Sequence, residues 1–507
     1  MYTGDLLHGR KVIYTDESEI TLGNVASVLI QALIDHETTR GEIRRLYEYE
    51  AGKQPIFYRE KTIRPDVNIH ANANYAKEIV EFKLGYEYAT PYSFVQRAKD
   101  DISKADPKQD DTRIARLNEM LYEQGKPAKD LECARDFKIC GVGYMCVLPK
   151  KEDDGSHAPF DLMTLNPKNT FIVRTNDPYR KPVMAVTYAV RKDGVRKITA
   201  YTDSHIYRGS AWETEPDEHD PDKTVRWQNS AFEELPNLMG IIPIVEFENS
   251  YSRQGAFEAV MPLMDALNII NSDRCNDVSQ YVQSILWMND CQISEDQKDS
   301  LVNGGMIMTK STADGRSANI EYVTAPLNQS ETQALVDYMY QQILEIAGVP
   351  GRDSSTGGNT GSAILLSNGW QMAETQAKTS VMLSDQSQME LLKRVLAVIK
   401  MSNVDEDMRT LSLSDVLPHI GRNKTYELSS RVNSMVTMIK TGIDVEKAIT
   451  VVDIFDDPQQ VTIDSLERID RLLFNTGATD AEVADLADSA WSDYGPDRDP
   501  LRGEAVF

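Results

Sequence analysis

Apolar positions recur at three- and four-residue steps through much of the N-terminal part of the chain. Between Gly23 and Lys53 they fall at Val28, Ile30, Leu33, Ile34, Ile43 and Leu46, which is a helical period. The polar run His36–Thr39 interrupts it, and a break in the helix is expected there. Arg40, Arg44 and Arg45 read as a solvated helix face. Ile79, Val80, Phe82 and Leu84 mark an amphipathic helix that should stop at Gly85, and "DTRIARLNEMLYEQG" a further one ending at Gly125, the usual residue after a helix C-terminus. From Cys140 the pattern changes. "CGVGYMCVLP", "TFIVR", "VMAVTYAVR", "RKITAYTDSHIYRG" and "GIIPIVEFEN" are short β-rich runs punctuated by Gly, Pro, Asn and Asp, so residues 140–250 form a strand-rich unit.

Helical spacing returns at Pro262. Leu263, Leu267, Ile270, Val278, Tyr281 and Ile285 predict a rod that opens on a proline and Asp265, both suited to a first turn. A small insertion with two or three strands and a polar helical turn spans Ile285–Pro326. A second rod, "SETQALVDYMYQQILEIAGV", should open on a capping box of Ser330 and Gln333. It leads into "VPGRDSSTGGNTGSA", Val349–Ala363, a loop of glycine and small polar residues. A long helix follows from Ser362 to Met401, with Gly369 as a bend point. Two shorter helices are expected around "SSRVNSMVTMIKTG" and "VEKAITVV", and the tail is acidic.

Composition narrows the class. With 507 residues, 41% hydrophobic and 26% charged, the chain is globular and long enough for several packed units. No apolar run reaches the length of a membrane span, and "MYTGDLLHGRKVIYTDESEI" lacks the pattern of a signal peptide, so folding in a cytosol is expected. The five cysteines, Cys133, Cys140, Cys146, Cys275 and Cys291, have neither disulfide-framework nor zinc spacing and are expected to be buried thiols. The net charge of −25 leaves two options: no nucleic-acid contact, or contact loose enough for a polyanion to slide.

Candidate chemistry is thin. A phosphate cradle of the Walker type needs a lysine after its last glycine; here Gly358 and Gly361 are followed by Thr and Ser, and no lysine occurs until Lys378. A hydroxyl-rich anion nest in that loop, serving a phosphate- or nucleotide-binding enzyme, is the alternative reading. There is no GxSxG, and His8, His36, His70, His157, His205, His219 and His419 are scattered. Acidic turns such as "DPKQDD" and "KKEDDG" are expected among 79 acidic residues and read as solvated loops. No catalytic residue, metal ligand or cofactor is assigned.

The order of features carries more than any motif. "IPIVEFEN", then Asp265–Ala266, Asn268, Ser272 and Asn276, then Pro350 with its loop and "GSAILL", then "GIDVEKAITVVDIFDDPQQVTIDSLERID" follow one another. Upstream, "NANYAKEIVEFKLGYEYATPYSF" and "LNPKNTFIV" fit the same series. From about Tyr47 to Arg471 the chain resembles the phage portal protein family, in the branch of long-tailed phages of Gram-positive bacteria.

The resemblance implies an α+β, mainly α, portal fold with wing, stem, clip and crown, assembling as a ring with a central channel. Residues 1–255 would be the N-terminal region and wing, 256–284 and 329–349 the stem helices, and 285–328 the clip. Residues 350–362 would be the tunnel loop, 363–402 a long bent wing helix, 403–477 the crown and 478–507 an acidic tail. Arg352, Asp353, Ser354, Ser355, Thr356, Gly357, Gly358, Asn359 and Thr360 would then face DNA in the channel, and Lys298, Lys310 and Arg316 the partners of the clip. Implied partners are about eleven further copies of the chain, double-stranded DNA, the large terminase subunit, a head–tail adaptor, and the major capsid and scaffold proteins, with no membrane. The protein would be made in the host cytoplasm and reside at the capsid vertex of the virion. The first 46 residues match nothing in the family pattern.

Overall fold

The computed structural model describes residues 8–61, 65, 67–88, 90–97, 112–150, 157–214, 226–282, 285–289, 319–323, 329–351, 369–402, 406–420, 428–452 and 461. The chain divides into two units, one of Met1–Phe94 with Arg113–Tyr426 and one of Val95–Thr112 with Glu427–Phe507.

In the first unit, β1 (Ile13–Thr15) pairs in parallel with β5 (Thr170–Thr175). An antiparallel meander continues through β6 (Pro182–Val190), β7 (Arg196–Tyr201) and β8 (His205–Thr214), where β9 (Arg226–Asn229) and β10 (Glu233–Pro236) both attach. Helix α1 (Val25–Glu50) covers this sheet with Val25, Val28, Leu29, Ala32 and Leu33. The expected break at His36–Thr39 does not occur. His36 and Thr39 are buried; the His36 ring lies 4.6 Å from Phe171 and its Nε2 sits 3.1 Å from the Lys168 carbonyl oxygen. His36 and Thr39 are packed while Thr38 between them is exposed, so the run continues the helix with one buried and one solvated side.

A second sheet has the order β11 (Ile244–Glu248), β3 (Val142–Pro149), β4 (Phe160–Leu165). It separates two cores, and the two-residue side-chain period does the sorting. Met145, Val147, Val245 and Phe247 point to one core, built with α3 (Thr112–Glu123) and α7 (Trp370–Met401). Val142, Tyr144, Cys146 and Ile244 point to the other, built with α1, α2 (Tyr75–Glu87), α5 (Met261–Val282) and α6 (Gln329–Ala347). Helix α4 (Lys126–Cys140) feeds β3 directly through Gly141. There φ is +86° and a Cβ would sit 2.1 Å from the Arg253 carbonyl oxygen, so only glycine fits.

Helix α2 runs past Gly85 to Glu87, because the two residues beyond the glycine are anchored. Tyr86 donates to Glu374 at 2.7 Å and Glu87 accepts from Lys138 at 2.5 Å. The capping box expected at Ser330 is absent: α6 starts before it, and the Gln333 side chain instead accepts from Arg274 and donates to Asp337. Gly369 has φ +77° and caps α7, so the helix is not continuous through it. Cys133, Cys140 and Cys146 are buried as expected, whereas Cys275 is exposed on α5; Cys291 lies outside the described residues. The strands β12 (Ile285–Asn289) and β13 (Asn319–Val323) pair antiparallel between α5 and α6 in the chain.

In the second unit, α8 (Leu428–Lys440) packs against α9 (Val445–Val452), which buries Ala448, Ile449 and Val452.

Candidate functional site

Helix α5 carries a polar row inside an apolar core. Asn268, Ser272 and Asn276 are spaced by four residues and are each at most 1% exposed. They face an extended strap that precedes α2. Asn268 Oδ1 accepts from Ala73 N at 2.9 Å, Ser272 Oγ from Ala71 N at 2.9 Å, and Asn276 Oδ1 from Ile69 N at 2.7 Å. Four residues of helix rise about 6.0 Å, and two residues of extended chain span about 6.6 Å. The two periods match, so one helix face binds every second amide of the strap. The row is doubly used. Asn268 donates to Gln54 Oε1 at 2.6 Å, and Asn276 Nδ2 lies 3.4 Å from the Ile69 carbonyl oxygen. Arg59 adds a two-pronged pair to Asp273 at 2.9 and 3.2 Å.

The start of α5 is fixed by buried charge. Arg10 and Glu258 pair at 2.9 Å with both side chains wholly buried, so the N-terminal segment, unassigned from sequence, is tied to the root of this helix. Nearby, burial works against the Glu246 carboxylate, but Arg253 (2.8 Å) and Arg174 (3.1 Å) outweigh it and hold it down at about 2.

Helix α6 packs on α5 and buries Met339, Ile343, Leu344 and Ala347. Leu335, Tyr338 and Ile346 fall on an adjoining face, at 100° per residue, and are 47%, 60% and 49% exposed. On α5, Ile269 and Val278 are exposed as well.

At the end of α6, Gly348 has φ +67°, and a Cβ there would lie 2.0 Å from Gln376 Oε1. Val349 and Pro350 are buried and Gly351 is exposed. The glycine-rich loop starts here. Arg352, Asp353, Ser354, Ser355, Thr356, Gly357, Gly358, Asn359 and Thr360 lie outside the described residues, as do Lys298, Lys310 and Arg316 of the insertion.

Helix α7 repeats the device seen on α5. Gln376, Ser380 and Gln388 lie on one helix face and hold three buried lysines. Lys83 donates to Gln376 Oε1 at 3.0 Å, Lys138 to Ser380 Oγ at 2.8 Å, and Lys126 to Gln388 Oε1 at 2.9 Å. Lys138 is also paired with Glu87, and Lys126 with Asp130. Sequence reading saw Asn268, Ser272 and Asn276 only as members of a family series and missed the row on α7. The signal of both rows was polar residues at four-residue spacing within otherwise apolar helices.

Catalytic chemistry gains no geometry. His70 is engaged by the Arg59 carbonyl and His157 by Glu123. Burial pushes the Cys140 and Cys146 thiols up to about 12, where they are poor nucleophiles. Among the described residues no group of His, Cys, Asp and Glu could hold a metal ion, and no helix is long and apolar enough to cross a membrane.

The family described as phage portal protein, SPP1 Gp6-like, matches residues 31–471, which takes in both polar rows, the sheet β11–β3–β4 and the larger sheet apart from β1. The chain belongs to the phage portal protein family. No curated protein matches it. Portal proteins are structural components of bacteriophages used in DNA packaging, not enzymes. They act as oligomeric rings at a capsid vertex. In this portal chain the matched region contains the helical hairpin α5–α6 with its β12–β13 insertion and the glycine-rich segment after α6.

Proposed function

We propose that about twelve copies of this chain close into a ring at one vertex of the capsid, through which DNA enters during packaging and leaves on ejection. The hairpin α5–α6 forms the stem around the channel. The β12–β13 segment and its insertion, with Lys298, Lys310 and Arg316, form the clip that meets the large terminase subunit and later the head–tail adaptor. The segment from Arg352 to Thr360 is the tunnel loop. The wing comprises the two sheets with α1–α4 and α7, and the crown holds α8 and α9.

One observation carries this reading: α6 keeps Leu335, Tyr338 and Ile346 exposed along one face while its other apolar face is filled by its own chain. A row of large apolar side chains beside a completed core calls for a protein neighbour. Ile269 and Val278, nine residues apart on α5, point to opposite flanks by helical phase. Contacts on two different flanks are heterologous, the type that closes rings.

Sedimentation and negative-stain microscopy of the purified chain test it. The expected species is a ring of about 0.7 MDa, twelve times 57.1 kDa, with a central hole. The variant Leu335→Asp/Tyr338→Asp should fall to folded monomers with unchanged helix content. A wild-type chain that stays monomeric with and without scaffold, or a double variant that still forms rings, refutes the reading.

A further inference from the structure

A cavity of about 430 Å³ lies between α2, α4, α7, the end of α6 and the turn Asn249–Ala256. Its wall includes Lys83, Lys138, Glu87, Gln376, Thr379 and Ser250. The charges do not balance. Lys138 is satisfied by Glu87 at 2.5 Å and Ser380 at 2.8 Å. Lys83 is 9% exposed, and its ammonium meets one acceptor among the described residues, the neutral Gln376 amide. An ammonium has three donors, and this bond uses one of them. Lys83 and Lys138 share one carboxylate, Glu87, so the wall carries one positive charge in excess; a buried excess charge is expensive, and a mobile anion is the simplest compensation.

We propose that this cavity is a binding site for a small oxyanion such as inorganic phosphate, held by Lys83 Nζ. The Thr379 hydroxyl donates to the Thr375 carbonyl oxygen at 3.1 Å and the Ser250 hydroxyl pairs with Ser252 at 2.9 Å, so the Lys83 ammonium is the principal donor to the anion. The site lies apart from the glycine-rich loop and involves no catalysis. Gln376 connects it to the root of that loop, since the side chain that accepts from Lys83 also presses against Gly348.

Burial first, and then the Lys138 charge, lower Lys83 to about 8. The other groups facing it are Glu87 from α2, the uncharged Gln376 and Thr379 from α7, Ala347 from α6, and the uncharged Ser250 and Ser252 of the turn. An anion binds the protonated lysine, so affinity should fall as pH rises through 8.

Isothermal titration of the full chain with sodium phosphate, against sodium chloride at equal ionic strength, tests the site. Saturable phosphate binding is expected, weakened at least about tenfold in Lys83→Met. It should be kept in Lys83→Arg and in Lys197→Met, a change at an exposed lysine on β7. It should also be weaker at about pH 9 than at about pH 7. Undiminished binding in Lys83→Met, or no saturable heat beyond chloride, overturns the proposal. If Lys83→Met does not fold, equal wild-type affinity at both pH values overturns it. The result is independent of ring assembly, because every group named belongs to one copy of the chain.

Discussion

Asn268 Oδ1 accepts the backbone N–H of Ala73 at 2.9 Å, a contact between residues 195 apart in the chain. The same side chain donates to Gln54 Oε1 at 2.6 Å, so one buried amide serves two distant segments. Asn268→Ala would leave a buried N–H and a buried amide oxygen without partners. Each such group costs about 1–3 kcal/mol. The variant should lose roughly 2–4 kcal/mol in urea unfolding, and the amide of Ala73 should exchange its hydrogen faster. A loss under about 0.5 kcal/mol would mean the strap is not held by this row.

His36 predicts a pH dependence. Burial lowers it to about 4, against the opposing hydrogen bond to Lys168. It is a base whose folded value lies below its unfolded value of 6.5, so the folded chain keeps it neutral. The associated stability is full above 6.5 and is lost as pH falls toward 4. The expected size is about 3 kcal/mol across that window. Comparing wild type with His36→Phe isolates the effect: the difference in stability should shift in favour of the variant as pH drops. A constant difference from pH 7 to about pH 4 would refute the assignment.

Helix periods were legible where a single face is buried, as in α3, whereas β3, buried on both faces, was legible only as a β-rich run. What was not legible is what fills the second face. His36 looks like part of a break in the helix until Phe171 and the Lys168 carbonyl, more than 130 residues on, are placed against it. Gly85 looks like a stop until Lys138 and Glu374 anchor the residues beyond it. Asn268, Ser272 and Asn276 were visible as members of a family series, but their partners are backbone amides about two hundred residues away. A row that binds backbone imposes no side-chain pattern on the strap. The N-terminal segment was opaque for the same reason: Arg10 acquires meaning only beside Glu258.

Gly348 should tolerate no side chain. With φ at +67° and Gln376 Oε1 2.0 Å from a Cβ, Gly348→Ala combines backbone strain with a clash. The strain alone is worth about 1–2 kcal/mol. Pairing it with Gln376→Ala removes the clash and leaves the strain, so the double variant should recover only part of the lost stability. Full recovery would show that the positive φ is not required at this turn.

The segment Ser354–Thr360 lies in the sequence between this turn and the start of α7 and contains two glycines and no charged side chain. In the proposed ring it lies against moving DNA. Arg352 is the sole cation between Val349 and Ala363, and Asp353 stands beside it, so lasting phosphate contacts are few and friction is low. Deleting Ser354–Thr360, or replacing Gly357 and Gly358 with proline, should leave ring formation intact by sedimentation. Packaging, read as nuclease-protected DNA per particle, should fall severalfold. Adding Lys at Ser354 and Ser355 should also slow packaging, more at low salt than at high salt, because the added phosphate contacts are screened. Loss of the ring on deletion would make the segment an assembly element. Packaging at the wild-type level in all three variants would remove it from the DNA path.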